Sequence, residues 1–285
     1  MKNVKEQSKK LREFIDAADG IILGIGNGLF QDSFKDFGSK ELIKEWMPLM
    51  AEKGYKNIIH AMRAHYWFDE DEASEYWSFW APYIKRMRYE TELLPGYQAL
   101  YELVKDKEYF LITTAFDGQW DKAGFSKDRV LAYNGDAGYN QCYVPCTFDR
   151  YYNEKEIYKM TSHMTEIGSI RQDYLSRCPK CGNYLVPNIR TEENFVAEPY
   201  LGTKDLLNDV LKKLINKNVL FLEIGEGFDQ PGFIRYPFEE MTKQFEHGVL
   251  VRLNEKDPDY PEELKDKIYI MDHNISEILI QAVKI

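Results

Sequence analysis

Four cysteines stand in two close pairs, Cys142 with Cys146 in QCYVPC and Cys178 with Cys181 in RCPKCGN. Four thiolates so grouped match the tetrahedral coordination of a structural Zn²⁺, a site closed to water that stabilises a region with little core of its own. The second pair has the form of a zinc knuckle, in which the glycine after the last cysteine lets backbone amides turn toward a sulfur. Disulfides are the competing reading, and a reducing cytoplasm disfavours them. One structural zinc per chain is therefore expected on Cys142, Cys146, Cys178 and Cys181. Ligation by four thiolates leaves no open coordination position for catalysis.

Two further stretches carry polar or glycine-rich chemistry at the ends of apolar runs. In LGIGNGLFQDSFKDFG, Gly24, Gly26 and Gly28 leave backbone amides uncovered for close approach to a diphosphate. The spacing is G-x-G-x-G, which a tight turn explains as well as a nucleotide does. In YFLITTAFDGQWDKAGF a strand runs into a polar loop containing Asp117, whose simplest alternative role is to cap the helical run that follows. The five histidines share no spacing and none is assigned to metal or catalysis.

The elements that must position these residues read as an alternation. Val4, Leu11, Ile15 and Ala18 recur at helical spacing and lead into the apolar run GIILG. YFLITT, NVLFLEIG, GVLVRLN and KIYIMD are further apolar strands, separated by helical patterns such as TKDLLNDVLKKLINK and NISEILIQAVKI. Strands apolar on both faces between helices predict an α/β fold with a Rossmann-like, doubly wound parallel sheet. Residues 39–93 read as a helical insert whose Trp67, Trp77 and Trp80 are expected in its small core. Residues 136–198 hold all four cysteines and little regular pattern, and are expected to form a smaller zinc-binding module. The expected sheet domain is then 1–38, 94–135 and 199–285.

The composition is that of a globular chain, with 44% hydrophobic and 29% charged residues among 285 and a formal net charge of −10. That charge, without a basic stripe, argues against nucleic acid and anionic membranes as partners. No apolar run is long enough to span a bilayer, and the N-terminal stretch lacks the apolar segment of a signal peptide, so a cytoplasmic location is expected.

Taken together, the glycine loop, TTAFDGQWDKAGF, the Asn134–Gly135 step, the split cysteine pairs and the last strands resemble the sirtuin family over nearly the whole chain. GD-x-G-x-x-QC, CPKCGNYLVPNIR and LFLEIGEGFDQPGFIRYPFEEMT are most similar to the macrodomain-linked microbial sirtuins of class M. The resemblance implies that NAD binds at Gly24, Gly26, Asn27, Gly28 and Leu29, with Asn27 and Phe30 departing from the family's alanine and serine. It implies that Phe37 shields the reactive ribose and that Thr114, Ala115 and Asp117 lie beside it, Ala115 standing where the family has asparagine. Gly225 and Gly227 correspond to an amide-rich phosphate loop, Asn254 to an adenosine-ribose contact and Asp272 to the last loop on the NAD side. Asn188 and Arg190 match a class M feature whose role is not assigned.

Asn134 occupies the place of the deacylases' histidine, and an amide is no base near neutral pH. Trp120 replaces a second deacylase histidine, while Gln119 fits class M. The implied activity is NAD-dependent transfer of ADP-ribose to an acceptor protein, a lipoyl carrier among the candidates. Asp117 would stabilise the ribosyl cation, and Gln119 and Asn134 would orient substrate or nicotinamide. The alternatives are an NAD-dependent deacylase and a sirtuin-shaped module that binds NAD or ADP-ribose without chemistry, the latter suggested by Ala115, Asn27 and Phe30.

Overall fold

The computed structural model describes residues 3–33, 37–191 and 194–285. Residues 34–36, within the expected span 1–38, lie outside the described residues, as do residues 1–2 and residues 192–193 of the expected zinc-binding module. Among the described residues the strands in chain order are β1 (Gly20–Ile25), β2 (Tyr109–Thr113), β3 (Val130–Ala132), β4 (Gly135–Cys142), β5 (Tyr151–Tyr152), β6 (Leu185–Ile189), β7 (Val219–Ile224), β8 (Gly248–Leu253) and β9 (Ile268–Met271). The chain divides into two compact units. The first contains Met1–Phe34, Leu93–Asn134 and Tyr200–Ile285, and the second Lys35–Glu92 and Gly135–Pro199.

The first unit is the doubly wound domain that its apolar runs predict. Its six-stranded sheet has the order β3-β2-β1-β7-β8-β9 with every neighbouring pair parallel. Every residue of β1 and β7 is buried, as strands covered by helices on both faces require. Ile22, Phe110, Phe221 and Leu250 from four strands pack with Ile234 and Phe238 at the following helix, Arg235–Gln244. A Cβ built at Gly24 would lie 2.4 Å from Ile234 Cγ2, so the glycine lets this segment approach β1 closely. On the N-terminal helix Val4–Ala17, Leu11 and Ile15 are buried, and Asn3 caps it by accepting from Glu6 N at 2.9 Å. The sheet grows outward from β1 in one direction and from β7 in the other. The switch point between their carboxyl ends is where open α/β sheets place ligands.

β7 and β8 carry charges inside this core. Their register sets Glu223 opposite Arg252, both fully buried, with Arg252 Nε and Nη2 donating to the two carboxylate oxygens at 2.7 and 2.9 Å. Arg252 Nη2 also donates to Glu239 at 2.8 Å, and Arg235 completes a group of two cations and two anions. Arg235 further donates to the carbonyls of Asp257 and Asp259 and so ties down the loop after β8.

In the second unit, helices Lys40–Trp46, Pro48–Glu52, Ile58–Ala64 and Ala73–Ile84 precede a π-helical turn, Lys85–Glu90. Trp77, Phe79 and Trp80 are fully buried, and Trp80 Nε1 donates to His65 O at 2.8 Å. Trp67, expected in the same core, is instead 60% exposed and packs edge-on against Tyr66. The cysteine-bearing stretch is more regular than its sequence suggests, with an antiparallel sheet β5-β4-β6 and a helix Glu154–Ser162. β4 does not read as apolar because its polar residues point inward to partners. Asp136 pairs with Arg88 at 3.0 Å, Asn140 with Asn153 at 2.8 Å, and Gln141 with Asn188 at 2.7 Å. No helix among the described residues is long and apolar enough to cross a membrane.

Candidate functional site

The carboxyl ends of the central strands are stitched together by backbone bonds. Gly26 N donates to Ile224 O, Gly28 N to Gly225 O and Gly225 N to Leu253 O, each at 2.9 Å. Gly225 has a φ of +62°, and a Cβ built on it would lie 2.7 Å from Gly28 Cα, so neither position admits a side chain without parting two backbones. A Cβ at Gly26 would lie 2.4 Å from Glu226 Oε2. The glycine loop therefore brings β1 and β7 together around the Glu226 carboxyl group, with Leu29 fully buried behind it.

Beyond β2 the chain is held against β1 by Thr113 Oγ1 and Thr114 N, which donate to Ile25 O at 2.8 and 3.1 Å. Ala115 is buried, its N–H bonded to Thr113 Oγ1 at 3.0 Å. Asp117 is 3% exposed. Its Oδ1 accepts from Gln119 N at 2.8 Å and its Oδ2 from the Tyr97 hydroxyl at 2.9 Å. The first contact closes an aspartate turn, from a side-chain oxygen to the amide two residues on, just before the short helix Gln119–Ala123, whose N-cap is Gly118 at φ +70° and not the aspartate. The second binds the carboxylate to the helix Pro95–Val104. Burial, and then the Asp117 charge, push the Tyr97 phenol well above its ordinary range, so it remains a donor. Gln119 is fully buried and its Oε1 accepts from Leu94 N at 2.9 Å, fixing the start of that same helix.

Asn134, at the end of β3, donates from Nδ2 to Thr114 O at 2.9 Å and to Gln230 Oε1 at 2.7 Å. Its Oδ1 is buried with no hydrogen-bond partner among the described residues, as is Trp120 Nε1. Thr114 Oγ1 donates to Glu226 Oε2 at 2.9 Å, and Asn254 Nδ2 donates to Glu226 O at 2.8 Å. One continuous polar cluster thus joins Asn134, Thr114, Glu226 and Asn254. Asn254 Oδ1 also accepts from the amides of Lys256 and Asp257, the turn-forming role that asparagine favours. A Cβ at Gly227 would lie 2.9 Å from Asp257 Oδ2 on the same loop. Asn27 O accepts from Gln31 N at 3.1 Å, opening the short helix Gly28–Ser33. Two predicted residues make their recorded contacts elsewhere. Asp272 accepts from Gln7 at 2.8 Å at the end of β9, and Phe37, in the second unit, packs against Trp46 and Tyr83.

Glu226, Tyr97 and Gln230 are absent from the sequence-based set. An acid between two glycines at a strand end, in GEG, is a signal that could have drawn attention to Glu226. Tyr97 and Gln230 carry none, because only the fold brings them to Asp117 and Asn134. Burial pushes the Glu226 carboxyl up to about 7, against the opposing effect of the Thr114 hydrogen bond. The raised value means that the folded state binds this proton more tightly than the unfolded chain. Stability from it is complete below the ordinary value of 4.5 and is lost as pH rises through about 7. Glu226→Gln, permanently neutral, should therefore gain on the wild type by up to about 3 kcal/mol at about pH 8 and show little difference near pH 4. Urea unfolding at the two pH values measures this, and parallel profiles would refute it.

In the second unit the four cysteine sulfurs converge within 4.8 Å of one another. Cys142 and Cys181 are 3.5 Å apart and Cys146 and Cys178 3.6 Å. A tetrahedral zinc with bonds of about 2.3 Å needs sulfurs about 3.8 Å apart, so the donor set fits that ion. Gly182 has a φ of +77°, as the knuckle turn requires, and its N–H donates to Cys178 O at 2.9 Å. Burial acts to raise the Cys178 thiol, but the amides of Lys180 and Cys181 outweigh it and bring the thiol down to about 6.

No protein-family model matches the chain. It is 29% identical over 283 residues to a protein ADP-ribosyltransferase of Staphylococcus aureus, covering 98% of this chain and 88% of that protein. It is 24% identical to a probable bifunctional ADP-ribose hydrolase/ADP-ribosyltransferase of Fusarium oxysporum, covering 85% of this chain but only 41% of the fungal protein. Among solved structures, a Sir2 homologue in complex with ADP-ribose superposes with a TM-score of 0.61 at 19% identity, covering 97% of this chain and 95% of that one. A Sir2 homologue–NAD complex gives 0.61 at 18% identity, covering 96% and 92%.

Proposed function

We propose that this chain, which has the sirtuin fold, transfers ADP-ribose from NAD to an acceptor protein with release of nicotinamide. The observation that carries this reading is the 29% identity to the staphylococcal ADP-ribosyltransferase, sustained over 98% of the chain. When bound, NAD supplies a ribose carbon whose bond to nicotinamide breaks as positive charge develops on the sugar. The residues at the carboxyl ends of β1, β2 and β7 have the chemistry to receive it. Gly26, Gly28, Gly225 and Gly227 keep side chains away from a diphosphate, and Glu226 tolerates one nearby to the extent that its raised carboxyl is neutral. Asn254 and Asp272 are assigned to the adenosine side. Asp117 supplies a fixed negative charge for the ribose, a form of electrostatic preorganisation. Tyr97 and Gln119 are positioning residues that hold Asp117 and its loop. The unpartnered Asn134 Oδ1 is a ready acceptor for the nicotinamide amide or an acceptor group.

One zinc ion on Cys142, Cys146, Cys178 and Cys181 is assigned a structural role, consistent with a reducing, cytoplasmic setting. Incubation of the protein with radiolabelled NAD and candidate lipoyl-carrier proteins should release nicotinamide and label the carrier in equal amounts. Release that requires an acetylated peptide, without protein labelling, would overturn the transferase reading in favour of deacylation. A second reading, binding of NAD or ADP-ribose without chemistry, is favoured by one observation. The buried backbone at Ala115 has no amide side chain to offer the ribose. Tight NAD binding by calorimetry with no nicotinamide release in any mixture is the outcome that would select it.

A further inference from the structure

The second unit contains a cleft of about 440 Å³ beside the cysteine cluster, between the sheet β5-β4-β6, the helix Glu154–Ser162 and the segment 174–179. Its floor includes Asn140, which is 1% exposed. Asn140 Oδ1 accepts from Asn153 Nδ2 at 2.8 Å, while Asn140 Nδ2 is buried without a partner among the described residues. The orientation of this amide follows from its neighbours. Asn153 Nδ2 also donates to Ala137 O at 3.0 Å and Asn153 Oδ1 accepts from the Tyr89 hydroxyl, so the Asn140 oxygen must face Asn153 and its NH₂ group must face away. A buried donor left unmade is costly, and Asn140 is among the residues that line the cleft.

The lining has the charge to match. Lys155, Lys159 and Arg177 border the cleft with Glu156 as the one acid, and none of the three cations has an ion-pair partner among the described residues. All three cations are exposed. Arg177 stacks over the Tyr184 ring at 3.4 Å from its centre, which fixes the guanidinium plane and leaves its in-plane N–H groups for an acceptor. Such a cationic border is unexpected on a chain of net charge −10. The same overall charge opposes an extended polyanion such as nucleic acid, whose phosphates continue beyond any one cleft. A short acidic segment presents its carboxylates locally.

We propose that this cleft binds an acidic peptide segment of a protein partner, one carboxylate accepting from Asn140 Nδ2 and its neighbours pairing with Lys155, Lys159 and Arg177. A fluorescein-labelled hexaglutamate peptide, followed by anisotropy at about 50 mM salt, is the probe. Saturable binding is expected, weakened at least about tenfold in the double variant Lys155→Glu/Lys159→Glu, with an unchanged melting temperature because both residues are exposed. Asn140→Asp keeps the acceptor for Asn153 and replaces the unpartnered donor with a carboxylate oxygen, so it should weaken binding by at least as much. Absence of saturable binding, an undiminished affinity in the lysine variant, or equal competition by free glutarate or by oligothymidylate would overturn the proposal. Binding is read without NAD, so the transferase reading and this one fail independently.

Discussion

Replacing Cys178 by serine should strip the protein of its zinc and unfold much of the second unit, while the first unit stays folded. The four sulfurs come from the end of β4, the loop after it, and the turn before β6. Locally the apolar support is slight, with Cys142, Cys178 and Leu185 forming their own small cluster against Tyr151. A thiolate zinc site contributes on the order of 10 kcal/mol to folding, comparable to the whole stability of an ordinary domain. A serine hydroxyl is a far poorer ligand, and its loss leaves three thiolates gathered without the charge that holds them. Purified wild type should carry one equivalent of zinc by elemental analysis and the variant about one tenth or less. Hydrogen exchange should accelerate across 135–191 and remain slow in β1 and β7. Full zinc retention in the variant, or uniform exchange, would refute the structural assignment.

What the sequence discloses follows from how local each signal is. β1, β2, β7 and β8 are legible because strands buried on both faces are nearly all apolar, and GIILG or VLFLEI cannot be mistaken for a solvated surface, while β9, half-buried at the sheet edge, is legible as a short apolar run. β4 is not, since Asp136, Asn140 and Gln141 satisfy their buried polar groups with partners distant in sequence. The Glu223–Arg252 pair is hidden for the same reason. Each is a lone charge within an apolar run until the register of β7 and β8 sets them opposite each other.

The candidate site divides in the same way. Asp117 is visible from its loop, but Tyr97, which fixes its second oxygen, comes from an earlier helix with no sequence signal joining the two. The glycines are legible as glycines, yet what they accommodate is not. Gly24 admits Ile234, Gly28 admits Gly225, and Gly26 admits the Glu226 carboxyl group. Trp67 shows the opposite error, an aromatic counted toward a core although the bend after the helix Ile58–Ala64 leaves it exposed.

Asp117→Asn should lower the rate of nicotinamide release and of protein labelling at least about 100-fold, at a stability cost of about 1–3 kcal/mol because the buried Tyr97 hydroxyl proton loses its acceptor. Removal of one oriented electrostatic contact at a reacting centre typically costs about 10²- to 10³-fold. Asp117 is 3% exposed and fixed on both oxygens, so its charge is held in place before substrate arrives. The amide is isosteric. Its oxygen accepts from Gln119 N as before, and its NH₂ donates to the Tyr97 oxygen once that hydroxyl rotates. Charge is therefore removed while the packing is kept. Tyr97→Phe separates holding from charge, because the carboxylate remains but loses one of its two anchors. It should cost about 1–3 kcal/mol of stability and a smaller part of the rate. Steady-state nicotinamide release with saturating NAD, alongside thermal melts, distinguishes the two variants. If Asp117→Asn retains more than about one tenth of the wild-type rate, the carboxylate serves only the turn before the helix Gln119–Ala123, and the developing charge must be met by another group.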